Sequence, residues 1–296
     1  MNWKLSSGDI FVLSAGLTWS WFPFISIFLG QTISPILTVG VSNLIAGITL
    51  ALFLASKKQL FSPNYKKAGK DIALTVIIIA ILAYILLFAA AKHTAPNTMA
   101  ILNLSQIIWG FLILGLMKFE SFSLTGILGS IGMILGAYLI IVNDALSFHW
   151  ANLFVILANA LFVFGNIFQR RARQHVSSIQ LICVRSMLAG IILTAWGIIQ
   201  DPTALFLLGG TQWLVLFILG CGIFAIEKIL WIEGIHRNPI SRCNVLAALS
   251  PAFTMIWGIL IWQDFPTWSQ WIGFGVMLIG GWSIILRKEG FLVLRK

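Results

Sequence analysis

The stretch FAIEKILWIEG, residues 224–234, sets Glu227 beside Lys228 in otherwise apolar surroundings. A charge near the centre of a bilayer costs roughly 2.5–3.5 kcal/mol on insertion scales. Arg185 is a second deep charge: counted from the ends of their apolar blocks, both it and Glu227 lie ~12–14 Å in at helical rise. Equal depth allows a Glu227–Arg185 ion pair. As a structural clasp, the pair neutralises itself while Lys228 snorkels toward the surface. As a binding site, Glu227 takes a substrate ammonium or Arg185 a carboxylate. Adjacent helical residues diverge by about 100°, so Glu227 and Lys228 are expected to point different ways.

Neutral polar groups fall on shared faces. Asn103 and Gln106 are three apart, Asn159 and Asn166 seven apart. Each amide can bond a neighbouring helix or line a cavity. Trp19, Trp21 and Trp109 lie deep enough to stack on a planar or cationic substrate, or to fill space. The four histidines form no His-x-x-x-His or His-Glu-x-x-His set, and no Walker-type Gly-Lys-Ser/Thr occurs. Neither enzyme nor cofactor nor metal is expected. Cys183, Cys221 and Cys243 read as small membrane-buried residues.

The elements that carry these groups are long and apolar. Of 296 residues, 59% are hydrophobic and 9% charged, against ~25% charged in soluble domains. Breaks at Gly, Pro, Asn and charge clusters give ten spans near 9–29, 34–55, 70–91, 96–117, 123–143, 149–169, 177–199, 210–232, 239–262 and 267–287. With both termini cytoplasmic, fifteen Lys and Arg fall inside and Lys92 alone outside, beside Asp144, Asp201 and Asp264. The net charge of +10 is thus explained by topology and not by nucleic acid.

Offset by 143 residues, the chain matches itself: FVLSA (11–15) meets FVILA (154–158), VSNLIAGI (41–48) meets VRSMLAGI (184–191), and His93 and Pro96 meet His236 and Pro239. After one inserted residue, Glu120 pairs with Asp264 and Gly129 with Gly273. Trp19 corresponds to Phe162, Tyr84 to Glu227, and Asn43 lies beside the Arg185 equivalent. Five spans per half force the halves into opposite orientations. The expected fold is an all-α polytopic membrane protein of ten transmembrane helices in two inverted five-helix repeats, 1–146 and 147–296. Such repeats supply inward- and outward-open packings of a secondary transporter. The stripe Gly126, Gly129, Gly132 and Gly136 reads as close packing within a monomer, with a homodimer contact as the alternative.

LTWSW (17–21), the AGI second helices and the blocks HTAPNTMAILNLSQIIWGFLILGLMKFESFS (93–123) and HRNPISRCNVLAALSPAFTMIWGILIWQDFPTWSQWIGFGVMLIGGW (236–282) resemble the drug/metabolite transporter superfamily, in its EamA-type branch. The resemblance covers nearly the whole chain. Arg185 and Pro251 fit family positions at which the first half has Ser42-Asn43 and Ser105-Gln106. It implies a central cavity among helices 1–4 and 6–9, and substrates among amino acids, other metabolites and toxic compounds. The expected function is export of amino acids or related small metabolites by alternating access across a bacterial inner membrane. A larger cationic or zwitterionic metabolite or drug is the alternative. The expected partners are the lipid bilayer and a small-molecule substrate at Trp19, Asn43, Tyr84, Asn103, Gln106, Asn159, Asn166, Arg185 and Glu227.

Overall fold

The computed structural model describes residues 5–91, 93, 99, 102–119, 124–141, 150–262 and 267–286, and these are helical with short connections and no strand. The expected readings of Lys92, Pro96, Glu120, Asp144 and Asp264 and of the basic tail lie outside them. Among the described residues, six segments are long and apolar enough to cross a membrane: Ser7–Gly30, Pro35–Ser56, Tyr65–Ala91, Trp150–Ala172, Ser178–Gln200 and Gly210–Arg237. Shorter helices, Ser105–Trp109, Leu124–Ile141, Ile240–Ala247, Ser250–Trp262 and Trp268–Leu286, fall within the four other expected spans.

Glycine lets the second helices of the two halves touch backbone to backbone. A Cβ on Gly40 would stand 2.5 Å from Thr194 N, one on Gly47 2.8 Å from Met187 N, and one on Gly190 2.5 Å from Leu44 N. Partner numbers fall as the glycine numbers rise, so Pro35–Ser56 and Ser178–Gln200 run antiparallel. Gly47 and Gly190 occupy equivalent repeat positions, so equivalent helices meet in opposite orientation. The Gly stripe of Leu124–Ile141 is likewise used within the chain: a Cβ on Gly280 would lie 2.8 Å from Gly129 O.

Both third helices depart from α winding at one place. Tyr65–Thr75 passes into a π-helical stretch, Val76–Ala83, and Gly210–Ile218 into another, Leu219–Glu227. Their starts are 143 residues apart, the repeat offset itself. Such i→i+5 winding is concentrated at functional sites.

One end of the bundle is bound by ion pairs. Arg242 holds Asp9, Glu233 joins Arg173 and Arg237, and Arg171 faces Asp71. Ser6 caps the first helix through a reciprocal bond with Asp9, which fixes the carboxylate at the helix start.

Candidate functional site

Where Leu219–Glu227 returns to α winding at Lys228, two charged residues turn inward. Glu227 is 3% exposed and Lys228 8%. Lys228 Nζ lies 2.6 Å from Glu227 Oε2, and 4.2 Å from the centroid of the Trp19 ring. The Tyr84 ring stands 5.8 Å from the same ammonium. This corrects two sequence expectations. Lys228 does not snorkel, and the partner of Glu227 is its chain neighbour and not Arg185. The physical reason is the length of the lysine stem, which curls back across the angle separating the two Cα–Cβ bonds, in a medium where a nearby counter-ion is worth far more than in water.

Arg185, fully buried, is held by amides instead. Its Nη1 donates to Gln169 Oε1 at 2.7 Å, and Gln169 Nε2 donates to Asn166 Oδ1 at 2.6 Å. Trp231 Nε1 donates to the same Asn166 oxygen at 3.0 Å. Arg185 Nε and Nη2 have no hydrogen-bond partner among the described residues, and Arg185 forms no ion pair there. These two nitrogens form the side-on edge of the guanidinium, whose parallel N–H bonds match a carboxylate.

These groups border one cavity of about 940 Å³, its open mouth included. The first half contributes Trp19, Asn103 and Gln106, and the second Asn159, Asn166, Arg185 and Glu227. Phe162, the repeat equivalent of Trp19, lines it as well. Lys228 and Glu227 offset each other in charge, so among the described residues Arg185 leaves the wall with one positive charge in excess.

The amides serve both helix contact and cavity. Asn159 Nδ2 donates to Asn103 Oδ1 at 3.1 Å, and Gln106 Nε2 to Asn244 Oδ1 at 3.1 Å. Each bond joins the two halves, yet all four side chains border the open space.

Two expected site residues are placed elsewhere. Asn43 lies outside the cavity, fully buried, with Nδ2 donating to Val39 O at 2.9 Å in its own helix. The close approach of Pro35–Ser56 to Ser178–Gln200 leaves no space beside it. Tyr84 stands behind the wall, its ring 5.2 Å from Phe162 and 4.6 Å from Phe224. Trp21 packs on Trp257 at 4.9 Å, and Trp109 Nε1 donates to Ile156 O.

The sequence reading missed Gln169, Trp231 and Asn244 as cavity residues. Gln169 follows Asn166 by three and extends the Asn159–Asn166 stripe; Trp231 follows Glu227 by four. Helical spacing was therefore a usable signal for both. Among the described residues no three His, Cys, Asp or Glu side chains converge as metal ligands would.

Two consecutive stretches, 6–142 and 149–286, match the model of the EamA-like transporter family. No curated protein matches the chain. One solved crystal structure superposes with a TM-score of 0.76 over 96% of this chain and 98% of its own, at 16% identity. A likeness at that identity speaks to the fold.

Proposed function

The chain belongs to the EamA-like transporter family, and from that premise we propose that it is a secondary active transporter of small carboxylate-bearing metabolites, the class that includes amino acids and related acids. The observation that carries this reading is the unpaired Nε–Nη2 edge of Arg185, a fully buried guanidinium bordering the cavity with no anion paired to it among the described residues. A buried cation without a counter-ion is costly. A substrate carboxylate would neutralise it and fill both donors in one bidentate contact. The proposed route is alternating access by ten helices in inverted repeats, and the proposed direction is export across a bacterial inner membrane with both termini cytoplasmic. The antiparallel meeting of equivalent second helices supports two related packings of one site. The cationic-substrate alternative is weakened because Lys228 already neutralises Glu227.

The test compares wild type with Arg185→Lys, which keeps the charge and loses the planar fork. Unfolding temperatures of the detergent-purified proteins are measured across amino acids and simple carboxylates at matched sodium. At least one carboxylate should stabilise wild type, and the lysine variant should need roughly ten- to a hundredfold more of it, the worth of a charge-assisted bond. Stabilisation by cationic ligands alone, or equal carboxylate binding by both proteins, overturns the reading.

A further inference from the structure

Lys228 sits where a bound cation would sit. A carboxylate 2.6 Å from its ammonium and the Trp19 ring 4.2 Å away reproduce the chemistry by which proteins hold ammonium ligands. Lys228, Glu227 and Trp19 all border the cavity, as Arg185 does. Tyr84, behind them, interacts electrostatically with all three charges, which places the four residues in one neighbourhood.

We propose that Lys228 is a tethered occupant of an ammonium subsite, so that the cavity admits carboxylates lacking an amino group and rejects the matching zwitterionic amino acids. The inference rests on the carboxylate role of Arg185 and narrows the class of substrate. With Lys228 in place, Glu227, Lys228 and Arg185 sum to one positive charge, which a single carboxylate neutralises. A zwitterion brings a second ammonium to a position already filled, and leaves that excess charge uncompensated in a poorly solvated site. Without Lys228, Glu227 and Arg185 become a matched pair of anchors for the ammonium and carboxylate of an amino acid. Lys228 then acts as the specificity-determining residue of the cavity.

The experiment uses three pairs that differ by the amino group: 4-methylpentanoate and leucine, 3-phenylpropanoate and phenylalanine, succinate and aspartate. Half-saturating concentrations are read from the thermal stabilisation of wild type, Lys228→Met, Lys228→Arg and the double variant Glu227→Gln with Lys228→Met. Wild type and Lys228→Arg should prefer the desamino member of a binding pair by about tenfold, the worth of one charged contact. Lys228→Met should reverse that preference for the same pair. The double variant, which has neither the tethered cation nor its carboxylate, again leaves Arg185 as one positive charge in excess and should return to the desamino member; Lys228→Gln repeats the test if Lys228→Met does not purify folded. A wild type that prefers the amino acids, or a preference unchanged when Lys228 is made neutral with Glu227 in place, overturns the inference while Arg185-dependent carboxylate binding stands. Absence of binding by every pair to every protein overturns both.

Discussion

Arg242 holds Asp9 through two parallel hydrogen bonds of 2.9 Å, Nε to Oδ1 and Nη2 to Oδ2, across 233 residues of sequence. Asn238 Nδ2 and the Ser6 amide complete the carboxylate's shell, each at 3.0 Å. The chain therefore contains, in its own body, the side-on contact proposed for Arg185, whose Nε and Nη2 have no hydrogen-bond partner among the described residues. Here it fastens the start of the first helix to the Ile240–Ala247 helix.

Asp9→Asn keeps the shape of this contact and removes the negative charge from beside a buried guanidinium. Breaking one partner of a buried pair costs about 3–5 kcal/mol, whereas an exposed pair is worth about 1 kcal/mol or less. The variant should unfold at a clearly lower temperature in detergent, and the double change Asp9→Leu with Arg242→Met should regain most of the loss. A single variant as stable as wild type would remove the fastening role.

Gln169 is the only hydrogen-bond partner of Arg185 among the described residues, so its substitutions should divide orientation from charge. Gln169→Leu should cost about 1–3 kcal/mol, the penalty of an unsatisfied buried donor, and should weaken carboxylate binding by loosening the guanidinium. Gln169→Glu should instead keep the fold and abolish carboxylate binding, because it supplies an internal anion. Stability and half-saturating concentration, measured together, check both outcomes.

The helix contact at the repeat axis makes a contrast between two glycines. Gly190→Leu must push against Leu44 backbone already 2.5 Å from a Cβ, whereas a Cβ on Gly222 meets nothing within 4 Å. Overpacking typically costs about 1–3 kcal/mol, and rigid backbone on both sides puts Gly190→Leu at the upper end. Gly222→Ala should be close to neutral. Thermal unfolding of the two variants tests the antiparallel pairing directly.

Periodicity and repeat offset made much of this molecule readable. Gly47 and Gly190 align in sequence and face the opposing half in space, because the offset records a symmetry that packing must obey. The Asn159–Asn166 stripe faces the cavity for the plain reason that seven residues make about two turns. Partner choice was not readable. Depth along a helix is additive and can be counted, but the direction of Glu227 depends on winding, and π winding breaks the count. Asn43 misled because its depth was right and its face was not. Asp9 and Arg242 each lie near the end of an expected span, where a charge raises no question, so the bond between them had no local signature.

The stretches VIIIAILA, Val76–Ala83, and LGCGIFAIE, Leu219–Glu227, share little in side chains yet share their winding and their place in the repeat. A π turn holds more residues than an α turn over the same path. Closing one such turn to α winding with no residue lost would rotate all that follows by about 100° and extend the helix by ~1.5 Å per released residue. Beyond the second stretch, that rotation would sweep Lys228 and Trp231 along the cavity wall without bending the helix. Deleting a single residue inside the stretch is the converse: the slack is taken up locally, and the Lys228–Arg237 face keeps its direction. Each half thus holds a reserve of chain length beside the site, a swivel made of surplus backbone.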